Sequence, residues 1–224
     1  MRSVKTELRT AISKGVIAVP LAPHYSRMST DGYRSAVEEA VRSLPHPMRV
    51  RLVENWHGNP LFVAAAAEKV RDAVEGLSPE DVAGVEVVFT AHSLPRRILQ
   101  WDDPYPRELL ESCEAVAGAA GVASWRFAYQ SASHTGQPWL GPDILECLAA
   151  LPNEGKRAAL VVPIGFVSDN LEILFDIDVE AQELAEGIGL RLQRAEMLNT
   201  SPAFIAALAD VVTNETGVRS IDLA

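Results

Sequence analysis

Residues 157–184 read RAALVVPIGFVSDNLEILFDIDVEAQEL. The first eight, RAALVVPI, form a continuous apolar run with β-branched residues, the pattern of a strand buried on both faces. Gly165 breaks the run. The remainder has helical spacing but carries six acids: Asp169, Glu172, Asp176, Asp178, Glu180 and Glu183. A buried strand followed by a helix is half of a βαβ unit, and such units build parallel sheets with helices on both faces. In such sheets ligands bind beyond the carboxyl ends of the strands. The acids therefore begin where a ligand is expected.

The same alternation continues outward. Strands are expected at 15–21, 48–55, 85–90, 125–131, 157–164 and 189–198. Helices are expected at 1–13, 31–44, 61–76, 106–120, 143–151 and 201–212, besides the acidic one. Asn59 and Pro60 suit an N-cap and first turn. Gly76 and Gly121 suit helix ends. Ser201 suits the cap of the last helix, and Ser29 or Thr30 that of the helix at 31–44. The fold class is α/β. EGLSPEDVAG, 75–84, is the best boundary between two halves. No internal repeat or low-complexity tract is present.

The totals narrow the function. The chain has 224 residues, enough for one large domain or two small ones, and a formal net charge of −10. Nucleic acid and anionic membrane both reward lysine and arginine, so neither is an expected partner. No apolar run reaches the ~18 residues of a membrane span. GVIAVPLA, 15–22, follows Arg2, Lys5, Arg9 and Lys14 and faintly imitates a signal peptide. It is short, holds Pro20 and follows Glu7, so it reads as a buried strand. Cys113 and Cys147 have no paired spacing; buried, reduced thiols in a cytoplasmic protein are expected.

Four of the five histidines fall just after expected strands: His24, His57, His92 and His134. Histidine exchanges a proton near neutral pH and ligates transition metals. Glu172, Asp176 and Glu180 are spaced i, i+4, i+8, one stripe of a regular helix. Such a stripe is either a solvated face or a row of oxygen ligands for a divalent cation. There is no GxSxG elbow, no GxGxxG and no Walker A loop.

Five motifs then act together: TAHSLP (90–95), DDPYP (102–106), QSASHTGQPWLGPD (130–143), VVPIGFVSDNLEILFDID (161–178) and EMLNTSPAFIAALADVV (196–212). In this order and spacing they resemble the ferrochelatase family. LAPHYSRMS (21–29) and WHGNP (56–60) resemble its Gram-positive type. The resemblance implies two Rossmann-like, chelatase-type halves with parallel sheets and a porphyrin cleft between them. The first half is truncated: 1–78 is its remnant, 79–200 the second half, and 201–224 a C-terminal helix packing back on the first.

The implied activity is insertion of Fe²⁺ into coproporphyrin III or protoporphyrin IX. The implied catalytic pair is His92 and Glu172, with Asp176 and Glu180 extending a metal or proton path. Tyr25, Ser26, Ser131 and Trp139 are implied to face the porphyrin. No cofactor beyond the substrate iron is expected, and no iron–sulfur cluster; the acidic helix has room for a second divalent cation. Two features depart from the family pattern. The usual N-terminal third is missing, which leaves open self-association through the truncated half and a non-catalytic porphyrin-, haem- or metal-binding role. Asn170 stands where histidine is common, and asparagine cannot carry a proton at neutral pH.

Overall fold

The computed structural model describes residues 15–45, 48–133 and 136–214, together with the backbone of 218–221. The helix expected at 1–13, His46 and His134 lie outside them.

The larger sheet is built from β3 (Val85–His92), β4 (Trp125–Gln130), β5 (Ala158–Val162) and β6 (Arg191–Arg194). All four strands are parallel, in the order β4-β3-β5-β6. The apolar run of 157–164 becomes the inner strand β5, with all five residues buried. Its alternate side chains feed two separate cores. Leu160 and Val162, with Val87 and Phe89 of β3, pack towards Phe62, Val116 and Phe204. Ala159 and Val161, with Val88, pack towards Leu148, Ile173 and Ile177. Two buried faces explain why the strand reads as continuous rather than alternating.

The smaller sheet holds β1 (Gly15–Ala18) and β2 (Arg49–Val53), which are parallel. A further strand, β7 (Val218–Ile221), joins β2 antiparallel, so this sheet is mixed. The sequence pattern predicts no strand after the helix at 201–212, and β7 departs from that expectation.

The helices follow their sequence signals. α1 (Thr30–Arg42) covers the small sheet. Ser29 occupies its N-cap position without a side-chain cap bond. In α2 (Pro60–Glu75), Asn59 accepts from the amides of Leu61 and Phe62, as its position predicts. A single turn, α3 (Pro79–Val82), lies inside the expected boundary segment. α4 (Tyr105–Ala120) ends at Gly121, whose φ of 76° is the left-handed conformation that glycine adopts freely. α5 is Ile144–Ala150.

The acidic segment is not one regular helix. It runs as α6 (Leu171–Phe175), a π-helical turn (Asp176–Ala181) and α7 (Gln182–Gly187). The last helix, α8 (Pro202–Asn214), lies against α2. Phe204 packs on Trp56, and the Asn59 amide donates to Asp210 at 2.7 Å.

Strand order reverses its direction of growth between β3 and β5. A crevice opens at such a switch point beyond the strand ends. The residues that follow β3, β4 and β5 therefore meet there.

Candidate active site

His92 ends β3. Its Nδ1 is bonded to the Ser93 carbonyl oxygen. A carbonyl only accepts, so Nδ1 carries the hydrogen and Nε2 presents its lone pair. Nε2 lies 3.6 Å from Oε1 of Glu172. Two acceptors face each other at this distance, and a shared proton or cation would bind both. His92 is held by its backbone: the Tyr105 hydroxyl donates to the His92 carbonyl at 2.9 Å. Burial pushes the Tyr105 phenol well above its usual range, so it stays a donor.

Trp139 stands beside the pair, its ring centroid 6.5 Å from that of His92. Its loop is zipped to the segment after β3. Arg96 N–H donates to Pro138, Leu140 N–H to Leu94, and the Ser93 hydroxyl to Leu140. The loop that carries the tryptophan is thus tied to the strand end that carries the histidine.

Glu172 sits in the first turn of α6. Asn170 is the N-cap of that helix: its side-chain oxygen accepts from Ile173 N–H at 3.1 Å, and its amide donates to Ser168. Asparagine is among the strongest N-cap residues. The residue that looked like a lost proton carrier orients the helix that presents Glu172.

Asp176 opens the π turn. It accepts from the Ser131 hydroxyl and, at 3.3 Å, from the Gln130 amide. Gln130 is fully buried and accepts in turn from Thr90 at 2.8 Å. Ser131 holds a left-handed backbone, φ 61°, which aims its hydroxyl across at α6's continuation. Asp176 and Glu180 line an open cleft of about 450 Å³ with Ser131, Trp139, Asp143 and Ile144.

The stripe expected from i, i+4, i+8 spacing is therefore divided. Glu172 answers His92, whereas Asp176 and Glu180 line the cleft across the π turn. A regular helix would be needed for one straight row, and the wider π turn interrupts it. Among the described residues no three His, Cys, Asp or Glu side chains converge into a ready metal cage.

The remaining expected residues lie elsewhere. Ser26 is fully buried and its hydroxyl donates to Asp103 at 3.1 Å. The Tyr25 hydroxyl donates to Asp31 at 2.9 Å, and its amide donates to Glu108 at 2.7 Å. Burial first, then the bond to Asp31, raises the Tyr25 phenol above its ordinary value. Neither side chain lines the 450 Å³ cleft.

His24 and His57 pair with each other and with α4. Their rings stack at 5.7 Å. His24 Nε2 bonds the Ser112 hydroxyl at 2.8 Å, and His57 Nε2 lies 2.9 Å from Glu111. Glu108 accepts from Tyr25 N–H and the Asn55 amide, and burial raises its carboxyl above the usual range. The loops after β1 and β2 are thereby knitted to α4. Position at a strand end could not distinguish this role from a site role.

Burial, then the neighbouring His57, lowers the His24 pKa to about 3. An unfolded chain would titrate it near the ordinary value of 6.5. Between those limits the unfolded state binds the extra proton, so stability is full above the upper value and falls with acid. At about pH 5 the cost is about 2 kcal/mol. His24→Gln is expected to remove that part of the pH dependence. Urea unfolding of both chains near neutrality and near pH 5 checks it. The Glu108 effect has the opposite sign, is common to both chains, and cancels in the difference. Equal acid losses in the two chains would refute the prediction.

The ferrochelatase family model matches residues 1–216. A ferrochelatase of Herpetosiphon aurantiacus is 46% identical over 205 residues, covering 91% of this chain and 67% of that protein. A coproporphyrin III ferrochelatase of a Geobacillus species is 37% identical over 200 residues, covering 89% and 64%. The chain spans about two thirds of the length of the curated relatives it matches, from 61% to 68%. Among solved structures, the sirohydrochlorin chelatase SirB of Bacillus subtilis subspecies spizizenii, in complex with cobalt, superposes with a TM-score of 0.64. It is 14% identical, and the match covers 97% of this chain and 80% of that one, a likeness of fold. With His92, Glu172 and Trp139 gathered at the switch point of a chelatase-like sheet, the chain belongs to the ferrochelatase family.

Proposed function

We propose that this chain inserts Fe²⁺ into coproporphyrin III. The observation that carries the reading is the free Nε2 of His92, 3.6 Å from the Glu172 carboxylate and beside the Trp139 ring. Metal insertion releases two pyrrole protons for each Fe²⁺ that enters. His92 Nε2 takes the first, because its other nitrogen is already committed to Ser93. The Glu172 carboxylate steadies the resulting imidazolium and is a second acceptor. Trp139 supplies a flat apolar wall against which a rigid aromatic disc can lie. Asp176 and Glu180, across the π turn, offer oxygens to the incoming cation and leave room for a second divalent ion.

The choice of ring rests on relatives named coproporphyrin III ferrochelatase at 36–38% identity. Two buried free thiols, Cys113 and Cys147, support a cytoplasmic setting. No helix among the described residues is long and apolar enough to cross a membrane. Self-association through the small sheet belongs to the same reading, since among the described residues β1 has a neighbouring strand on one side only.

Anaerobic mixing of the chain with Fe²⁺ and coproporphyrin III, followed by porphyrin absorbance, tests the proposal. Turnover that exceeds turnover with protoporphyrin IX is expected. Tight porphyrin binding by folded protein without metal insertion would overturn it in favour of a binding role.

A further inference from the structure

Two of the six acids in the 165–184 segment point away from the cleft and meet one arginine. Arg194 closes β6. Its Nε and Nη2 donate to the two oxygens of Asp178 at 2.7 and 2.8 Å, a two-pronged pair. Its Nη1 donates to Asp169 at 3.1 Å. The hydrogen bonds to Asp178, with the charges of Asp178 and Asp169, raise the guanidinium's already high pKa. Asp169 is fixed a second time by Asn199, which accepts from its amide at 2.9 Å and donates to its carboxylate at 2.7 Å. Asn199 adopts φ 47°, and its own amide donates to the Val167 carbonyl.

The placement of these ties is informative. Asp169 precedes the N-cap Asn170, three residues before Glu172. Asp178 lies inside the π turn, between Asp176 and Glu180. One planar, forked cation therefore grips the segment on both sides of Glu172 and holds the turn that separates it from Glu180. Its positive charge also offsets one of the two outer negative charges that would otherwise add to the repulsion among Glu172, Asp176 and Glu180. The outer acids thus carry the clamp, while the inner acids face the site.

We propose that Arg194 is a positioning residue for the carboxylate row: it sets Glu172 opposite His92 Nε2 and keeps Asp176 and Glu180 turned to the cleft. The inference rests on the proposed metal-handling role of that row. Lysine keeps the charge but cannot form the fork and reach Asp169 at once. Arg194→Lys is therefore the informative variant, with Arg194→Met as the stronger one.

Two measurements decide it. The first is Co²⁺ binding to the chain without porphyrin, followed by titration calorimetry. Arg194→Lys is expected to weaken it about tenfold, the scale on which groups that orient metal ligands act. Porphyrin affinity should stay near that of the parent, and the loss should disappear when Glu172→Gln is already present. The second is a crystal structure of Arg194→Lys, in which the His92–Glu172 separation should exceed the parent's 3.6 Å. An unchanged separation with unchanged Co²⁺ affinity in a folded variant would overturn the proposal. If the parent chain itself fails to bind Co²⁺, the metal reading of the row falls. The crystallographic separation still decides whether Arg194 positions Glu172.

Discussion

His92→Ala is expected to lower the rate of metal insertion by roughly 10²- to 10⁴-fold, the usual contribution of a positioned acid–base group. The fold should survive. The imidazole is a third exposed, and alanine gives up its bond to the neighbouring Ser93 carbonyl, its approach to Glu172 and its contact with the Trp139 ring, none of which ties the core together. The contact that secures this strand end, Tyr105 to the His92 carbonyl, involves the main chain and persists in alanine. Porphyrin affinity should change little, because the backbone bonds between 94–96 and 138–140 keep the Trp139 loop in place when the imidazole is removed. The loss should therefore appear in turnover with the unfolding midpoint near that of the parent. Initial rates under anaerobic conditions, paired with thermal melts, measure both. A folded variant that retains turnover within about threefold would remove His92 from the proton-accepting role, since a lost general base costs far more.

Glu172→Gln separates the two partners. It keeps the shape and the helix but removes the negative charge that faces Nε2. If the carboxylate stabilises the imidazolium, the rate falls in this variant too, and the His92→Ala and Glu172→Gln losses are not additive.

The frame was legible in the sequence for a physical reason, because it depends on local pattern, whereas the pairing of His92 with Glu172 was implied by the family resemblance. A strand buried on two faces must be apolar throughout, so β3 and β5 announced themselves. Asn59, Gly121 and Ser201 act within a few residues of where they stand, and each caps as its position predicted. His92 and Glu172 follow the two strands that flank the switch point, and sheet topology brings them together.

What escaped depends on distant partners. Arg194 is one arginine in a short strand, and nothing nearby marks it as the counter-charge of residues 16 and 25 positions away. The π turn leaves no compositional trace, because the same acids and apolar residues would suit an α-helix. β7 is four residues long and exists as a strand only by pairing with β2. His24 and His57 look like site residues from their strand-end positions, yet the packing of α4 buries His24 beside Ser112 and partly buries His57 beside Glu108. Asn170 read as a missing proton carrier until its bond to Ile173 identified a cap.

Gly165→Ala is expected to damage stability and turnover together. Gly165 follows β5, and its amide donates to the Thr90 carbonyl of β3 at 3.1 Å. A Cβ added there would lie 2.4 Å from the Ala91 Cβ and 2.8 Å from the Ala91 Cα. These atoms belong to a central strand, and no flexible side chain can swing aside. The need for glycine is thus close approach of two chain segments and not an unusual backbone angle. Overpacking of this kind costs about 1–3 kcal/mol. The strain is relieved by moving the 163–170 segment away from β3. That segment leads directly into the helix that carries Glu172, so relief widens the gap to His92. A displacement of about 1 Å can cost 10²-fold in rate. Gly187→Ala is the control: its added methyl meets no atom within 4 Å and alanine suits the helix, so stability should not fall and the rate should stay at the parent's level. Adding Ala91→Gly to Gly165→Ala removes the closer clash but leaves the new methyl pressed against the main chain of residue 91, so rescue should be partial. Urea unfolding and insertion rates on the four chains report both effects. A Gly165→Ala chain as stable and as active as the parent would show that the sheet yields here without moving Glu172, and that the tight β3–β5 junction does not set the spacing of the pair.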